Sequence, residues 1–430
     1  MRELRLRCRN GLVGEAAVPG DKSITHRALL LGALAEGRSR VRGALASRDC
    51  LATLACVRAV GVTVVEEEDD TLVIEGRGLR GLSRPSGALD CVRSGTTIRL
   101  LAGILAGQRF DTVLTGEPQL LRRPMARVVD PLSAMGAAIE SNRGRAPLSI
   151  CGRPLRGMAH HLGVASAQVK SALLLAGLYA EGETRVVQPA RSRDHTERML
   201  AAMGAAVLTD GDAVTVRPAS ALRPLTVTVP GDLSSAAFPI VAATLVPGSR
   251  VVLHDVGMNR TRTGLIDVLR AMGASILEEH VRTEGNEPLA DLVVEAAPLR
   301  GVEVGGALIP RMIDEFPVLA VAATQAAGRT VVRNATELRV KESDRIAGTV
   351  DELRRLGASI EETPDGFVVE GPTDLKGGAV DGLGDHRLAM ALAVAGLVAR
   401  EPVVVRDAEC VEDSFPGFAA LICALGAADE

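Results

Sequence analysis

The hydrophobic and polar positions of this chain repeat. An apolar helical stretch, a Gly, a small residue and a strand-like stretch recur about every seventy residues. The phrase reads AVGVTV at Ala59–Val64, AMGAAI at Ala134–Ile139, AMGAAV at Ala202–Val207, AMGASI at Ala271–Ile276, RLGASI at Arg355–Ile360 and ALGAAD at Ala424–Asp429. Each Gly fits the residue just past a helix end, where a positive φ is needed and a Cβ is unwelcome. The preceding segments are amphipathic, with Ile346, Val350, Leu353 and Leu356 on one helical face. A second phrase is interleaved with the first: a polar or Gly-rich loop running into an Ala/Leu helix. Its copies start near Gly20, Arg93, Ala165, Gly231, Ile313 and Gly384. Stretches such as Thr112–Leu114, Val251–Leu253 and Val403–Val405 mark strands. The pattern therefore predicts six units, each a buried helix, a strand, an amphipathic helix and two strands.

Pro-Gly-Asp occurs twice after alternating strand-like residues, at Pro19–Asp21 and Pro230–Asp232. Two equivalent junctions predict two crossings, near 19–21 and 230–232. Residues 21–230 then form one three-unit domain, and 1–20 plus 231–430 the other. The alternative is a single long solenoid with ordinary β-to-α turns. Composition favours layered helix and sheet: 47% of the 430 residues are apolar but only 2% aromatic, with no Trp. The core is built from Ala, Leu, Val and Ile, and the length suits two cores better than one.

Charge narrows the function. Lys plus Arg number 49 against 53 Asp plus Glu, a net charge of -4, and no run of one sign points to nucleic acid or an anionic membrane. The basic stretch Met1–Asn10 leads into no apolar core of signal length, and the longest apolar stretch, Leu388–Ala399, is far shorter than a membrane span. The expectation is a soluble, cytoplasmic protein. Seven Cys with no CxxC pair read as reduced core residues.

The chemistry concentrates where buried helices begin, since unpaired N–H groups and the positive dipole end lie there. Lys22, Ser23 and Arg27 open the first copy, Ser94, Gly95 and Thr96 the second, and Ser166, Gln168 and Lys170 the third. Asp232, Ser234 and Ser235 open the fourth, Asp314 and Glu315 the fifth, and Asp385, His386 and Arg387 the sixth. Any one Ser or Asp here is accounted for as a cap. Lys22, Arg27, Arg123, Lys341, Arg345 and Arg387, set beside Gly, Pro or carboxylates, imply a cationic cleft for phosphate and carboxylate groups. Asp314, Glu315 and Glu342 add the carboxylates that acid/base chemistry needs, with salt bridging to neighbouring Arg as their structural alternative. Three further matches fail on context. Gly76, Gly78 and Gly81 are followed by Ser83-Arg84-Pro85 and no helix, so a dinucleotide fingerprint is excluded. In Gly20-Asp21-Lys22-Ser23 an Asp separates Gly from Lys, unlike a nucleotide-binding loop. His160, His161 and His195 have no partner His or Cys at metal-ligand spacing, so no metal site is expected.

The phrases PGDKSITHRALLL at Pro19, SGTTIRLLAG at Ser94, LTGEPQLLRRPM at Leu114, SAQVKSALLLAGL at Ser166, RDHTE at Arg193, PGDLSSAAF at Pro230, IDEFP at Ile313, LRVKESDR at Leu338 and GDHRLAM at Gly384 run the length of the chain. Through them it resembles the 5-enolpyruvylshikimate-3-phosphate synthases. The resemblance implies an α/β fold of two domains, each a pseudo-threefold arrangement of βαβαββ units (an inside-out α/β barrel), with the active site in the interdomain cleft. It implies transfer of the enolpyruvyl group of phosphoenolpyruvate to the 5-hydroxyl of shikimate 3-phosphate, no cofactor, a monomer, and glyphosate as a possible inhibitor. Carried over, Lys22, Ser23, Arg27, Ser166, Gln168, Arg193, Asp314 and Lys341 hold shikimate 3-phosphate. Lys22, Gly95, Arg123, Gln168, Arg345 and Arg387 meet phosphoenolpyruvate, while Lys22, Asp314 and Glu342 serve proton transfer.

Two departures stand out. The family commonly has Gly-Asn where this chain has Val92-Arg93, so either the loop backbone differs or Arg93 adds charge beside the phosphoenolpyruvate site. Asp413 stands near a position where one branch carries a Lys that contacts phosphoenolpyruvate. Together with Leu100, Arg93 suggests partial glyphosate tolerance. The rival readings are the sister UDP-N-acetylglucosamine enolpyruvyl transferase, whose loop Cys is missing from Gly116–Pro124, and a non-catalytic anion-binding repeat protein.

Overall fold

All six glycines of the recurring phrase take the left-handed conformation that their position after a helix demands: φ is +89° at Gly61, +102° at Gly136, +89° at Gly204, +107° at Gly273, +89° at Gly357 and +116° at Gly426. Each turns an amphipathic helix back into a strand. The computed structural model describes residues 3–8, 10–68 and 70–429; Met1, Arg2 and Arg9 of the basic N-terminal stretch, with Asp69 and Glu430, lie outside the described residues. The chain divides into two compact units. One comprises Gly20–Val229 with Glu284–Asn286, and the other Met1–Pro19, Pro230–Thr283 and Glu287–Glu430.

The Gly20–Val229 unit contains α1 (Lys22–Leu34), α2 (Arg48–Ala59), α3 (Gly95–Ala106), the short α4 (Pro118–Leu121), α5 (Ala126–Ala134), α6 (Ala167–Gly177) and α7 (His195–Ala202). Three four-stranded sheets repeat one topology. The spatial orders are Thr226–Thr228, Glu36–Arg42, Thr71–Arg77, Thr63–Glu67; Leu89–Asp90, Asp111–Thr115, Arg145–Cys151, Ala138–Asn142; and Ala159–His161, Thr184–Val187, Ala213–Val216, Val207–Asp210. In each sheet the first pair is parallel and the others antiparallel. A parallel pair needs a crossover, which α3 and α6 supply. For the first sheet the parallel partner comes instead from Thr226–Thr228, at the far end of the unit, which closes the threefold ring. Helices α1, α3 and α6 form its core. They are buried almost throughout, and their incompletely buried positions are all in the first turn: Lys22 in α1, Thr96 in α3, Ala167 and Gln168 in α6.

The other unit contains α8 (Leu233–Leu245), α9 (Gly264–Met272), the short α10 (Leu308–Arg311), α11 (Phe316–Thr324), α12 (Arg345–Arg355), α13 (His386–Val398) and α14 (Phe418–Ala424). Its first sheet runs Ser275–Glu284, Glu287–Glu295, Arg250–Gly257, Val13–Ala17, so a strand from the start of the chain supplies the parallel edge. The second runs Glu303–Val304, Gly328–Val332, Gly366–Gly371, Ile360–Thr363. The sixth unit departs from the predicted repeat. Among the described residues Gly378–Asp381 pairs only with Val403–Arg406 and Ala428–Asp429 pairs with Leu6–Arg7, and a bridge from Leu4 to Val405 joins the two pairs. Here the outer hairpin is replaced by the N-terminal segment. Phe238, Phe415 and Phe418 fill the space beside α14 with edge-to-face contacts at 5.8 and 5.5 Å. The predicted inward face of α12 is buried at Ile346, Val350, Leu353 and Leu356.

Candidate active site

In the Gly20–Val229 unit the polar residues that open the buried helices hold one another. Asp21 caps α1 by accepting from the Ile24 amide at 2.9 Å. Lys22, the first residue of the helix, pairs its Nζ with Asp49 Oδ2 of α2 at 3.0 Å. Ser23 Oγ accepts from Arg193 Nη1 at 3.1 Å. One turn on, Arg27 is buried and ties three helices together. Its Nε donates to Thr196 Oγ1 at 2.7 Å, Nη2 to Ser171 Oγ at 2.9 Å and Nη1 to the Ser23 carbonyl at 3.0 Å. Lys170, buried in α6, donates to the carbonyls of Ser192 and Arg193 and pairs with Glu197, which fixes the loop that carries Arg193.

A second group gathers where α3 and α6 begin. Ser94 caps α3 and Ser166 caps α6. Gln168 joins them, accepting from Arg99 Nη1 at 2.6 Å and donating to Thr96 Oγ1 at 2.9 Å. Arg99 also donates to the Pro124 carbonyl at 3.1 Å, which holds the loop bearing Arg123. Gly95 lies against that guanidinium: a Cβ on Gly95 would come 2.7 Å from Arg123 Nη1 and 2.8 Å from Arg99 Nη1. Arg123 therefore stands in the loop between α4 and α5 and not at the start of a long helix. The Val92-Arg93 departure resolves structurally. Val92 takes φ +52°, so the backbone keeps a conformation natural to Gly although a β-branched residue occupies it. Arg93 turns to Gln119, with Nε 2.6 Å from Oε1, and lies 4.0 Å from Glu117.

In the other unit, Arg345 at the start of α12 organises three carboxylates. Nε lies 2.8 Å from Asp385 Oδ2, Nη1 3.0 Å from Asp314 Oδ1 and Nη2 2.8 Å from Glu342 Oε2. Its side chain is 1% exposed, against 19% for Asp314 and Glu342. Burial alone would lower the guanidinium pKa, but Asp385, Glu342 and Asp314 outweigh it and hold it above its ordinary value. Asp385 also caps α13 by accepting from the Arg387 amide at 2.9 Å and accepts from Ser343 Oγ at 3.0 Å. Arg387 is thus placed in the first turn of α13, with its side chain buried. Lys341 lies half-buried between the 3-10 turn Thr336–Val340 and Glu342, ahead of α12 and not within a helix start. Asp413, in the 3-10 segment Ala408–Asp413, is buried. A further buried network joins Arg262 to Asp232 and Ser234 at 2.8 Å each, and Ser234 to Glu315.

Arg99, Asp49, Ser171, Thr196 and Arg262 are site-shaping residues that the sequence reading did not single out. Arg99 and Lys170 carry a usable signal, since each is a charge inside an otherwise apolar helix and must find a partner when buried. Among the described residues no helix is long and apolar enough to cross a membrane.

Two threefold α/β bodies whose buried helices open onto fixed cations and a carboxylate-loaded arginine define an acid/base-equipped protein suited to anionic reactants. The family model described as EPSP synthase (3-phosphoshikimate 1-carboxyvinyltransferase) matches residues 6–421. A 3-phosphoshikimate 1-carboxyvinyltransferase of Syntrophotalea carbinolica is 55% identical over 409 residues, 95% of each chain. One from Desulforudis audaxviator is 54% identical over 418 residues, 97% of each. The structure of EPSP synthase from Acinetobacter baumannii superposes with a TM-score of 0.88 at 42% identity over the whole of both chains. The chain belongs to the EPSP synthase family.

Proposed function

We propose that this chain transfers the enolpyruvyl group of phosphoenolpyruvate to the 5-hydroxyl of shikimate 3-phosphate, releasing phosphate. The observation that carries the reading is the arrangement of Asp314 and Glu342 on one buried guanidinium, each carboxylate partly open at its outer edge. It supplies two bases in a fixed orientation, and membership of the family supports the choice of reactants. In the reaction the hydroxyl oxygen bonds to C2 of the enol while C3 gains a proton. The tetrahedral intermediate then expels phosphate as C3 gives a proton up. Asp314 takes the hydroxyl proton, and Glu342 with Lys22 moves the proton at C3. Lys22, Ser23, Arg27, Ser166, Gln168 and Arg193 bind shikimate 3-phosphate, as do Asp314 and Lys341. Lys22, Gly95, Arg123 and Gln168 receive phosphoenolpyruvate, as do Arg345 and Arg387. Fixed cations lower the barrier because they are already oriented where negative charge develops.

The chain acts as a cytoplasmic monomer, and glyphosate competes with phosphoenolpyruvate but with partial tolerance, because Arg93 and Leu100 alter the donor pocket. An inhibition constant on Arg93→Asn unchanged from the parent removes Arg93 from that account. The central test is phosphate release with both reactants. Lys22→Ala and Arg123→Ala should each lower turnover by about 10²–10³ with the circular dichroism spectrum intact. Full activity in either variant takes that residue out of the mechanism, and no release by the parent chain overturns the function.

A further inference from the structure

Beneath Lys22 and Gly95 runs a buried chain of side chains that the reaction does not itself use. Helices α1 and α2 meet in two rungs, each residue one turn from the last. In the first, Lys22 pairs with Asp49. In the second, His26 Nδ1 lies 2.7 Å from Thr53 Oγ1. Thr53 Oγ1 is in turn 2.5 Å from Thr97 Oγ1 of α3. Thr97 Oγ1 donates to Ser94 Oγ at 2.7 Å, and the Thr97 amide donates to the same oxygen at 3.1 Å. His26, Thr53, Thr97 and Ser94 are each 0% exposed.

The donors run one way. Ser94 Oγ receives both bonds from Thr97, so the Thr97 hydroxyl hydrogen is committed and its oxygen must accept from Thr53. The Thr53 hydroxyl is then committed as well, and its oxygen must accept from the imidazole. His26 Nδ1 therefore carries the proton. Its Nε2 is buried with no hydrogen-bond partner, which agrees, since a bare acceptor is tolerated in an interior more readily than an orphaned N–H. A charged ring would still donate from Nδ1 but would leave a buried Nε2–H without an acceptor, and burial together with Lys22 and Arg27 keeps the pKa of His26 well below its ordinary value.

We infer that His26 is a positioning residue: as the Nδ1–H tautomer it anchors a one-way chain, His26 to Thr53 to Thr97 to Ser94, that holds the start of α3, and with it Gly95, in register with Lys22. Gly95 has no slack, because even a Cβ there would come within 2.7 Å of Arg123 Nη1 and 2.8 Å of Arg99 Nη1. A small rotation of the α3 cap therefore displaces the guanidinium that meets the enol donor. The inference rests on the reading that Lys22, Gly95 and Arg123 receive phosphoenolpyruvate.

The test compares His26→Leu, His26→Asn and the near-isosteric Thr97→Val by steady-state kinetics. His26→Leu and Thr97→Val should raise KM for phosphoenolpyruvate about three- to tenfold, the worth of one buried hydrogen bond, with KM for shikimate 3-phosphate unchanged. His26→Asn keeps a donor at the Nδ1 position and should restore the parental value, and the His26→Leu/Thr97→Val double variant should be no worse than the single ones. A lowered melting temperature with unaltered KM in Thr97→Val, or Asn no better than Leu, overturns the inference. If His26→Leu does not fold, Thr97→Val decides alone. Nitrogen-15 NMR of the imidazole at neutral pH reads the tautomer without turnover. Nδ1–H is expected, and Nε2–H rejects the chain's direction even if the parent shows no transferase activity, a result that would fail the proposed function separately.

Discussion

Replacing Asp385 by Ala tests how much of one unit depends on the Arg345 cluster. Asp385 is fully buried, binds Arg345 through both oxygens at 2.8 and 3.2 Å, and caps α13. Breaking a buried pair by removing one partner costs about 3–5 kcal/mol, because the other charge stays behind in low dielectric. Arg345 would keep Asp314 and Glu342, so the low end applies. Loss of the helix cap adds about 1 kcal/mol. A total near 4 kcal/mol is a large share of a typical stability of about 5–15 kcal/mol. With a urea slope of about 2–3 kcal/mol per molar, the midpoint should fall by roughly 1.5 M. The chain has no Trp and a single Tyr, so far-ultraviolet circular dichroism is the suitable probe. Asp385→Asn retains an acceptor for the Arg387 amide and should recover the capping part alone, leaving about 3 kcal/mol lost. A midpoint within 0.4 M of the parent for Ala, on the order of 1 kcal/mol at such slopes, would refute the view that this ion cluster is a stabilising keystone.

Three further outcomes are expected. Gly95→Ala would push the ends of Arg123 and Arg99 aside while leaving the backbone in place, so KM for phosphoenolpyruvate should rise about ten- to a hundredfold with little change in the urea midpoint; an unchanged KM would show that Arg123 does not bind the donor. Acid stability should depend on Asp291: partial burial raises its pKa, but the Asp255 amide and the imidazoles of His280 and His254 outweigh it and hold the carboxyl at about 2. That contribution is present above the ordinary carboxylate value and is lost as pH falls through 2, so Asp291→Asn should flatten the acid limb of a stability profile below pH 4. His254, raised by its hydrogen bonds to Glu15 and Asp291, contributes fully below 6.5 and loses the effect as pH rises through its elevated pKa. His254→Gln should therefore remove a stability loss on that side, and an unaltered profile would contradict the assignment.

The parts of the fold legible in the sequence are those set by local physics. Gly61, Gly136, Gly204, Gly273, Gly357 and Gly426 announce helix ends because only Gly adopts their positive φ freely. The buried helices show as Ala/Leu runs, and the residues opening them were visible because the same position recurs. Pairing between distant segments was not legible. Nothing local states that Val13–Ala17 lies beside Arg250–Gly257, or that the sixth unit gives up its hairpin to the chain's first residues. The site followed the same division. Lys22, Ser23, Gln168 and Arg345 stand out at helix starts, whereas Thr53 and Thr196 acquire meaning only once α2 and α7 are packed. Thr has many innocuous roles, and its spacing carries no signal until its partner is known.

The borrowed edge strand has a consequence for synthesis on the ribosome. Val13–Ala17 is made well before its partner, Arg250–Gly257, which is more than two hundred residues downstream. At typical translation rates of 5–20 residues per second it waits about 10–50 s with an unpaired edge. Its exposed Val13 and flanking Glu15 form a short, charged strand, poor at recruiting strangers during that delay. The Gly20–Val229 body has a shorter version of the same wait, since Glu36–Arg42 meets its parallel partner only when Thr226–Thr228 is made. The Gly20–Val229 body is thus the first to have all its strands, at a point where the other still lacks Val403–Arg406 and Ala428–Asp429.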